Sequence, residues 1–138
     1  MILIRQKYIF REDMKANTHL LYLWGDNEMR VGSGGQAKEM RGEPNGIGIR
    51  TKRKPLSDFD AYWDDQHYDL QKEMLDQDFQ TVNDALGYHN GILIYRGLVL
   101  PLDGIGTGFA QLPERAPKTL AYLNMKLYDL ARNIGSIT

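Results

Sequence analysis

Short apolar runs alternate along the chain with amphipathic stretches, an order that fits strands and helices stacked in layers better than a sandwich or a bundle. The apolar runs place strands at Ile2 to Ile4, Tyr8 to Phe10, Leu20 to Trp24, Ile47 to Ile49, Ile92 to Ile94 and Leu98 to Leu100. A short helix is expected to open near Gly35-Gln36-Ala37 and to stop before Gly42-Glu43-Pro44, because glycine and proline both end helices. A longer helix fits Tyr68 to Leu86, where Leu70, Met74, Leu75, Phe79, Val82 and Leu86 fall on one face. The last helix starts near Pro113, tolerates Pro117 only in its first turn, and presents Ala116, Leu120, Leu123, Leu127 and Leu130 to the core. Packing accounts for these stripes, Met74 included. The fold class that follows is α/β, a single three-layer domain over residues 1–138 with a mixed central sheet flanked by helices.

Two glycine-rich segments stand at the exits of apolar strands. Leu20 to Trp24 continues through Gly25-Asp26-Asn27 to Gly32-Ser33-Gly34-Gly35-Gln36-Ala37. Gly97 to Leu102 continues into Asp103-Gly104-Ile105-Gly106-Thr107-Gly108-Phe109. Glycine lets the backbone approach a ligand closely and aim several N–H groups at one point, which is how proteins hold phosphate without lysine. Ligands of open α/β sheets collect at the carboxyl ends of strands, where both segments fall. The first segment lacks the lysine and hydroxyl pair that closes a nucleoside-triphosphate loop, and it lacks the glycine spacing of a dinucleotide-binding turn. The plainer reading of each segment is a tight turn that binds nothing.

Composition narrows the partners. With 42% hydrophobic and 25% charged residues the chain is an ordinary globular one. Lys+Arg 17 against Asp+Glu 18 leaves a net charge of −1, so bulk attraction to nucleic acid is removed and no nucleic-acid partner is expected. No long uncharged apolar run exists and the N-terminus has no signal-peptide layout, so the expectation is no membrane partner and a cytoplasmic location. The absence of cysteine excludes disulfides, thiol nucleophiles and thiolate metal sites. His19, His67 and His89 are scattered, so neither a metal nor a cofactor is expected. Acids crowd residues 58–78, and Asp64 and Asp65 are of the type that holds Mg²⁺ or Ca²⁺; without calcium-loop spacing, a solvated charged face is the favoured reading. The basic run Arg50, Lys52, Arg53 and Lys54 either pairs with these acids or lines a phosphate site. An interaction protein whose acidic segment meets a basic partner is a further class left open.

Taken in order, the segments resemble the macro domain, an α/β module that binds ADP-ribose. Phe10-Arg11-Glu12-Asp13-Met14 stands where that family has a Gly-Asp-Ile type turn, and Gly25-Asp26-Asn27 ends where its Asn-rich loop ends. Gly32 to Ala37 looks like the family's glycine run, and Leu98 to Phe109 followed by Leu112-Pro113 is similar to its last strand, diphosphate loop and aromatic. The chain also looks like uncharacterised bacteriophage proteins, which implies a viral source and the host cytoplasm.

The resemblance implies an ADP-ribose-type small molecule as ligand. Asp13 would receive the adenine amino group, the Met14 N–H would face the ring, and Asn27 would hydrogen-bond the distal ribose. The amides of Gly34 and Gly35, with the loop Gly104, Ile105, Gly106, Thr107, Gly108 and Phe109, would surround the diphosphate, and Phe109 would pack on the distal ribose. The chain departs from the family where Glu12 replaces a glycine and Gly25-Asp26 replaces small apolar residues. The family contains binders and ADP-ribosyl hydrolases, and a phage binder would sequester a defence signal. Hydrolysis needs a group that activates water, for which Asp26 and Asp103 are the catalytic candidates. An Asp before a glycine turn also caps its own backbone. One macro branch uses a lysine nucleophile, but neither loop contains a lysine and Lys38 lies just inside the following helix. Binding without turnover is therefore the expectation.

Overall fold

The computed structural model describes residues 1–137, with side chains described through Ile134. The chain runs β1 (Ile2–Gln6), α1 (Arg11–Ala16), β2 (Leu20–Asn27), α2 (Ala37–Met40), β3 (Gly46–Lys52), α3 (Tyr68–Leu86), β4 (Tyr88–His89), β5 (Ile92–Leu93), β6 (Gly97–Pro101), α4 (Leu112–Arg115) and α5 (Pro117–Ile137). Four strands form one sheet in the order β1-β6-β2-β3, with every pairing parallel. The antiparallel component lies outside that sheet, in the separate β4–β5 hairpin. The arrangement is the three-layer α/β one that the alternation of segments implies.

Strand alternation sends β2 to both faces of the sheet. Leu21 and Leu23, with Leu98 and Leu100 of β6 and Ile49 of β3, pack on Leu75, Phe79 and Val82 of α3 and on Leu123, Leu130 and Ile134 of α5. Tyr22 and Trp24, with Val99, pack the other way, onto Ile9, Met14 of α1 and Met40 of α2. A parallel sheet covered on both faces reads as near-continuous apolar sequence, which is why these strands were legible without polar alternation.

Three elements differ from the sequence reading. Tyr8 to Phe10 is not a strand: Ile9 is buried, but its N–H donates to Gln36 Oε1 (2.8 Å) and its carbonyl accepts from Gln36 Nε2 (2.8 Å), so a side chain does what a neighbouring strand would do. The last helix is two, because Ala116 precedes proline and leaves the helical region at φ −147, ψ 62, after which α5 begins at Pro117. On α3, Leu70 is exposed, while Gln71 and Asp78 are buried.

Several acids of residues 58–78 have structural partners. Asp65 accepts from the N–H groups of Lys118 (3.0 Å) and Thr119 (3.1 Å) and so caps α5, and Asp64 pairs with Arg53 (3.1 Å). Among the described residues no group of three His, Asp or Glu side chains is placed to hold a metal. Among them, too, no helix is long and apolar enough to cross a membrane.

Asp78 fastens α3 to the sheet edge. It accepts from Arg30 Nη2 (2.8 Å), the Arg50 N–H (2.8 Å) and Arg50 Nε (3.1 Å). Asp78→Ala is expected to lower the unfolding free energy by about 3 kcal/mol, the low end for breaking a buried pair, since both arginines keep some contact with water. Urea unfolding measures it, with exposed Glu73→Ala on the same helix leaving the midpoint nearly unchanged.

Candidate functional site: a cleft at the strand ends

The chain leaves β2 toward α2 on one face and leaves β6 toward α4 and α5 on the other. Loops that diverge from neighbouring parallel strands leave a crevice between them, at the carboxyl ends of the strands. Here that crevice is a cleft of about 890 Å³, bounded by Gly25 to Asn27, by Thr51 and Lys52, by Pro101, and by the loops over residues 31–37 and 103–111. Both glycine segments line this one cavity.

The second loop is pinned at its ends and open in its middle. The Gly104 N–H donates to the Pro101 carbonyl (3.1 Å), the Gln111 N–H to Gly108 (3.1 Å) and the Leu112 N–H to Gly106 (3.0 Å). Among the described residues none accepts a hydrogen bond from the main-chain amides of 105–110, six in succession, or from those of 33–36. Phe109, 70% exposed, rests its ring on the first loop, where a Cβ added to Gly35 would lie 3.0 Å from Cε2. One aromatic side chain thus ties the two loops together.

The first loop is shaped from below by an ion pair. Arg41 Nη2 donates to Asp26 Oδ1 (2.6 Å) and Nη1 to Oδ2 (3.2 Å), while its guanidinium lies 4.8 Å from the Trp24 ring. The same arginine takes the carbonyls of Gly32 through Nε (2.9 Å) and Val31 through Nη2 (3.1 Å). Each peptide is planar and trans, so a carbonyl drawn toward Arg41 turns the next N–H the opposite way. Arg30 Nη1 adds a second contact to Asp26 Oδ2 (3.3 Å) and reaches the Gly48 carbonyl (2.5 Å). Asn27 closes the turn itself: Nδ2 donates to the Val31 carbonyl (2.8 Å) and Oδ1 accepts from the Met29 N–H (3.0 Å).

Most of the residues singled out in the sequence come together here. Asp26, Asn27, Gly34, Gly35 and Asp103 line the cleft, as do Gly104, Ile105, Gly106, Thr107, Gly108 and Phe109. Asp26 has arginine at both oxygens and the Asn27 N–H at Oδ1 (2.8 Å). The exposed Asp103 differs: its carbonyl accepts from Thr107 Oγ1 (3.0 Å), and among the described residues its carboxylate has no partner. Asp13 and Met14, to which the resemblance gave the adenine contacts, are not among the residues that line this cleft. Asp13 Oδ2 accepts from the Phe10 N–H (2.9 Å) and Gln6 Nε2 (2.8 Å), holding the start of α1. The Met14 N–H donates to the Phe10 carbonyl (3.4 Å), and its side chain is fully buried.

Several cleft residues carried no sequence signal. Tyr62 arrives because the chain after β3 folds back, bridging Lys52 in antiparallel fashion, with the Arg53 N–H on the Ala61 carbonyl (2.8 Å). Within the basic run, Arg50 pairs with Asp78, Arg53 with Asp64 and Lys54 with Asp60, leaving Lys52 as the member that lines the cleft. Burial, and secondarily the Arg115 guanidinium, hold the Lys52 ammonium below the usual lysine pKa. The basic run itself was visible in the sequence, but which of its members faces the cleft depends on pairings that only the folded chain makes.

Residues 4–126 match the model of the family described as "Family of unknown function (DUF7831)", and the chain belongs to that family. No curated protein matches the chain, and no solved structure does.

Two glycines of the second loop have opposite roles. Gly106 lies at φ +87 and a Cβ there would overlap the Leu112 side chain, whereas a Cβ at Gly108 meets nothing within 4 Å. Gly106→Val is expected to cost about 2–5 kcal/mol through backbone strain and overpacking. Gly108→Val is expected to melt close to the parent protein. Thermal unfolding of the two variants checks the contrast.

Proposed function

We propose that this member of a family of unknown function binds a phosphate-bearing nucleotide of the ADP-ribose type, with the diphosphate on the amides of the two glycine loops. The run of main-chain amides over 105–110, which have no acceptor among the described residues and belong to a loop that lines the cleft, is the observation that carries the reading. A diphosphate presents several acceptor oxygens to such amides and needs no lysine. The cleft volume of about 890 Å³ is within the range of small-molecule sites. Tyr8 and Phe109, both partly exposed on its walls, offer aromatic faces to a base and a sugar. In this reading Tyr8 takes the place of Asp13 and Met14 on the base side.

One observation favours a second reading, hydrolysis of an ADP-ribosyl bond. The Asp103 carboxylate stands at the cleft with no partner among the described residues and is placed to take a proton from water, whereas the oxygens of Asp26 are engaged by arginine.

ADP-ribose is expected to raise the melting temperature, since a ligand at a hundred times its Kd adds about 2.7 kcal/mol to the native state. Gly34→Val and Gly108→Val, whose new side chains meet no close backbone, should fold and lose that shift. A full shift in both variants overturns the proposal. Turnover is separated by incubation with an ADP-ribosylated peptide. Release of free ADP-ribose that falls by about two to four orders of magnitude in Asp103→Asn identifies a hydrolase, and recovery of the intact conjugate identifies a binder.

A further inference from the structure

Two cations meet at Tyr62, a residue of the cleft lining, and among the described residues no carboxylate neutralises either. Lys52 Nζ and the Arg115 guanidinium both lie over the Tyr62 ring, at 4.7 Å and 3.6 Å from its centroid. Lys52 Nζ has the Leu56 carbonyl (2.9 Å), Arg115 Nε has Gln111 Oε1 (2.8 Å), and among the described residues neither side chain makes an ion pair. Lys52, Tyr62 and Gln111 all line the cleft, and Lys52 is only 9% exposed.

This is an expensive arrangement for a protein at rest. A lysine is almost never so buried unless its charge is paired. The π face of Tyr62 attracts each cation, but it does nothing for the repulsion between them. Gln111, which holds Arg115, sits at φ 53, a left-handed backbone uncommon outside glycine, and such residues cluster at ligand-binding sites. Two donor hydrogens of the Lys52 ammonium and the terminal nitrogens of Arg115 have no acceptor among the described residues. An incoming oxyanion would supply both the missing charge and the missing acceptors.

We propose that Lys52 and Arg115, set on Tyr62, form a second anion subsite of the cleft, separate from the amide loops, that takes a phosphate monoester. The inference rests on the cleft being a nucleotide site and narrows its ligand to one carrying a terminal phosphate in addition to its diphosphate. A monoester near neutral pH carries close to two negative charges, matching the two cations.

The test uses inorganic phosphate and ADP-ribose as separate probes, each titrated calorimetrically into the full chain. Arg115→Gln, at an exposed position where folding is not at risk, is expected to weaken inorganic phosphate by about tenfold or more, the loss of one charge-assisted contact, and ADP-ribose by less. Lys52→Gln should do the same, and in the parent protein the Lys52 Nζ resonance should shift on adding phosphate. Unchanged phosphate affinity in Arg115→Gln, or equal losses on both probes, overturns the subsite. If ADP-ribose fails to bind while phosphate still depends on Arg115 and Lys52, the subsite stands and the nucleotide reading falls.

Discussion

A carboxylate enclosed in a strand of a parallel sheet costs several kcal/mol unless its charge is met, and Asp26 is 6% exposed at the end of β2. Arg41 meets it with two nitrogens, Arg30 with a third, and the Asn27 amide with a fourth hydrogen. The room for this comes from the next strand, where a Cβ on Gly48 would lie 2.8 Å from Asp26 Oδ2. Since Arg41 also binds Val31 and Gly32, neutralising Asp26 sets the path of the first loop. Arg30 carries the connection to Asp78 on α3 (2.8 Å). A single buried charge therefore links the cleft floor, the loop above it, the sheet edge and a helix of the opposite layer.

In the proposed reading, the cleft around that anchor has two ways of attracting an anion. The loops offer backbone dipoles, which carry no net charge and leave the chain at −1 overall. On the Tyr62 side the cleft has formal charge in the Lys52 ammonium, which among the described residues pairs with no acid. Amides suit a bridging diphosphate approached along the backbone. Ammonium and guanidinium groups suit a compact terminal anion.

The elements read most easily from the sequence are those with the strongest periodicity. α3 spans Tyr68–Leu86, as its apolar spacing indicates, and β2 and β6 contain the apolar runs that mark them. What escaped depended on distant partners. Gln71 looks like a surface residue until Thr119 Oγ1, 48 positions away, donates to it (2.6 Å), and Asp78 looks solvated until Arg30 and Arg50 arrive. Tyr8 to Phe10 has a strand's composition, but Gln36 answers its main chain. In the cleft the glycine segments were visible because a loop's backbone freedom is written locally. Arg41 and Tyr62 were not, because only the folded chain brings them beside Asp26 and Lys52.

The strand order has a kinetic side. In the sheet β1 pairs with β6 alone, Ile2 beside Gly97, so β1 waits for the last of the described strands. β2 and β3 find each other earlier, while β6 must insert between β1 and β2 to close the sheet. Parallel pairing across so long a separation is a slow event that loop-closure entropy opposes. The residues of the second glycine loop follow β6 directly, so the cleft acquires its amides in the same event. On a ribosome the segments carrying β1 to β3 would emerge with an unfilled gap between β1 and β2, and the cleft would be complete only when β6 fills that gap.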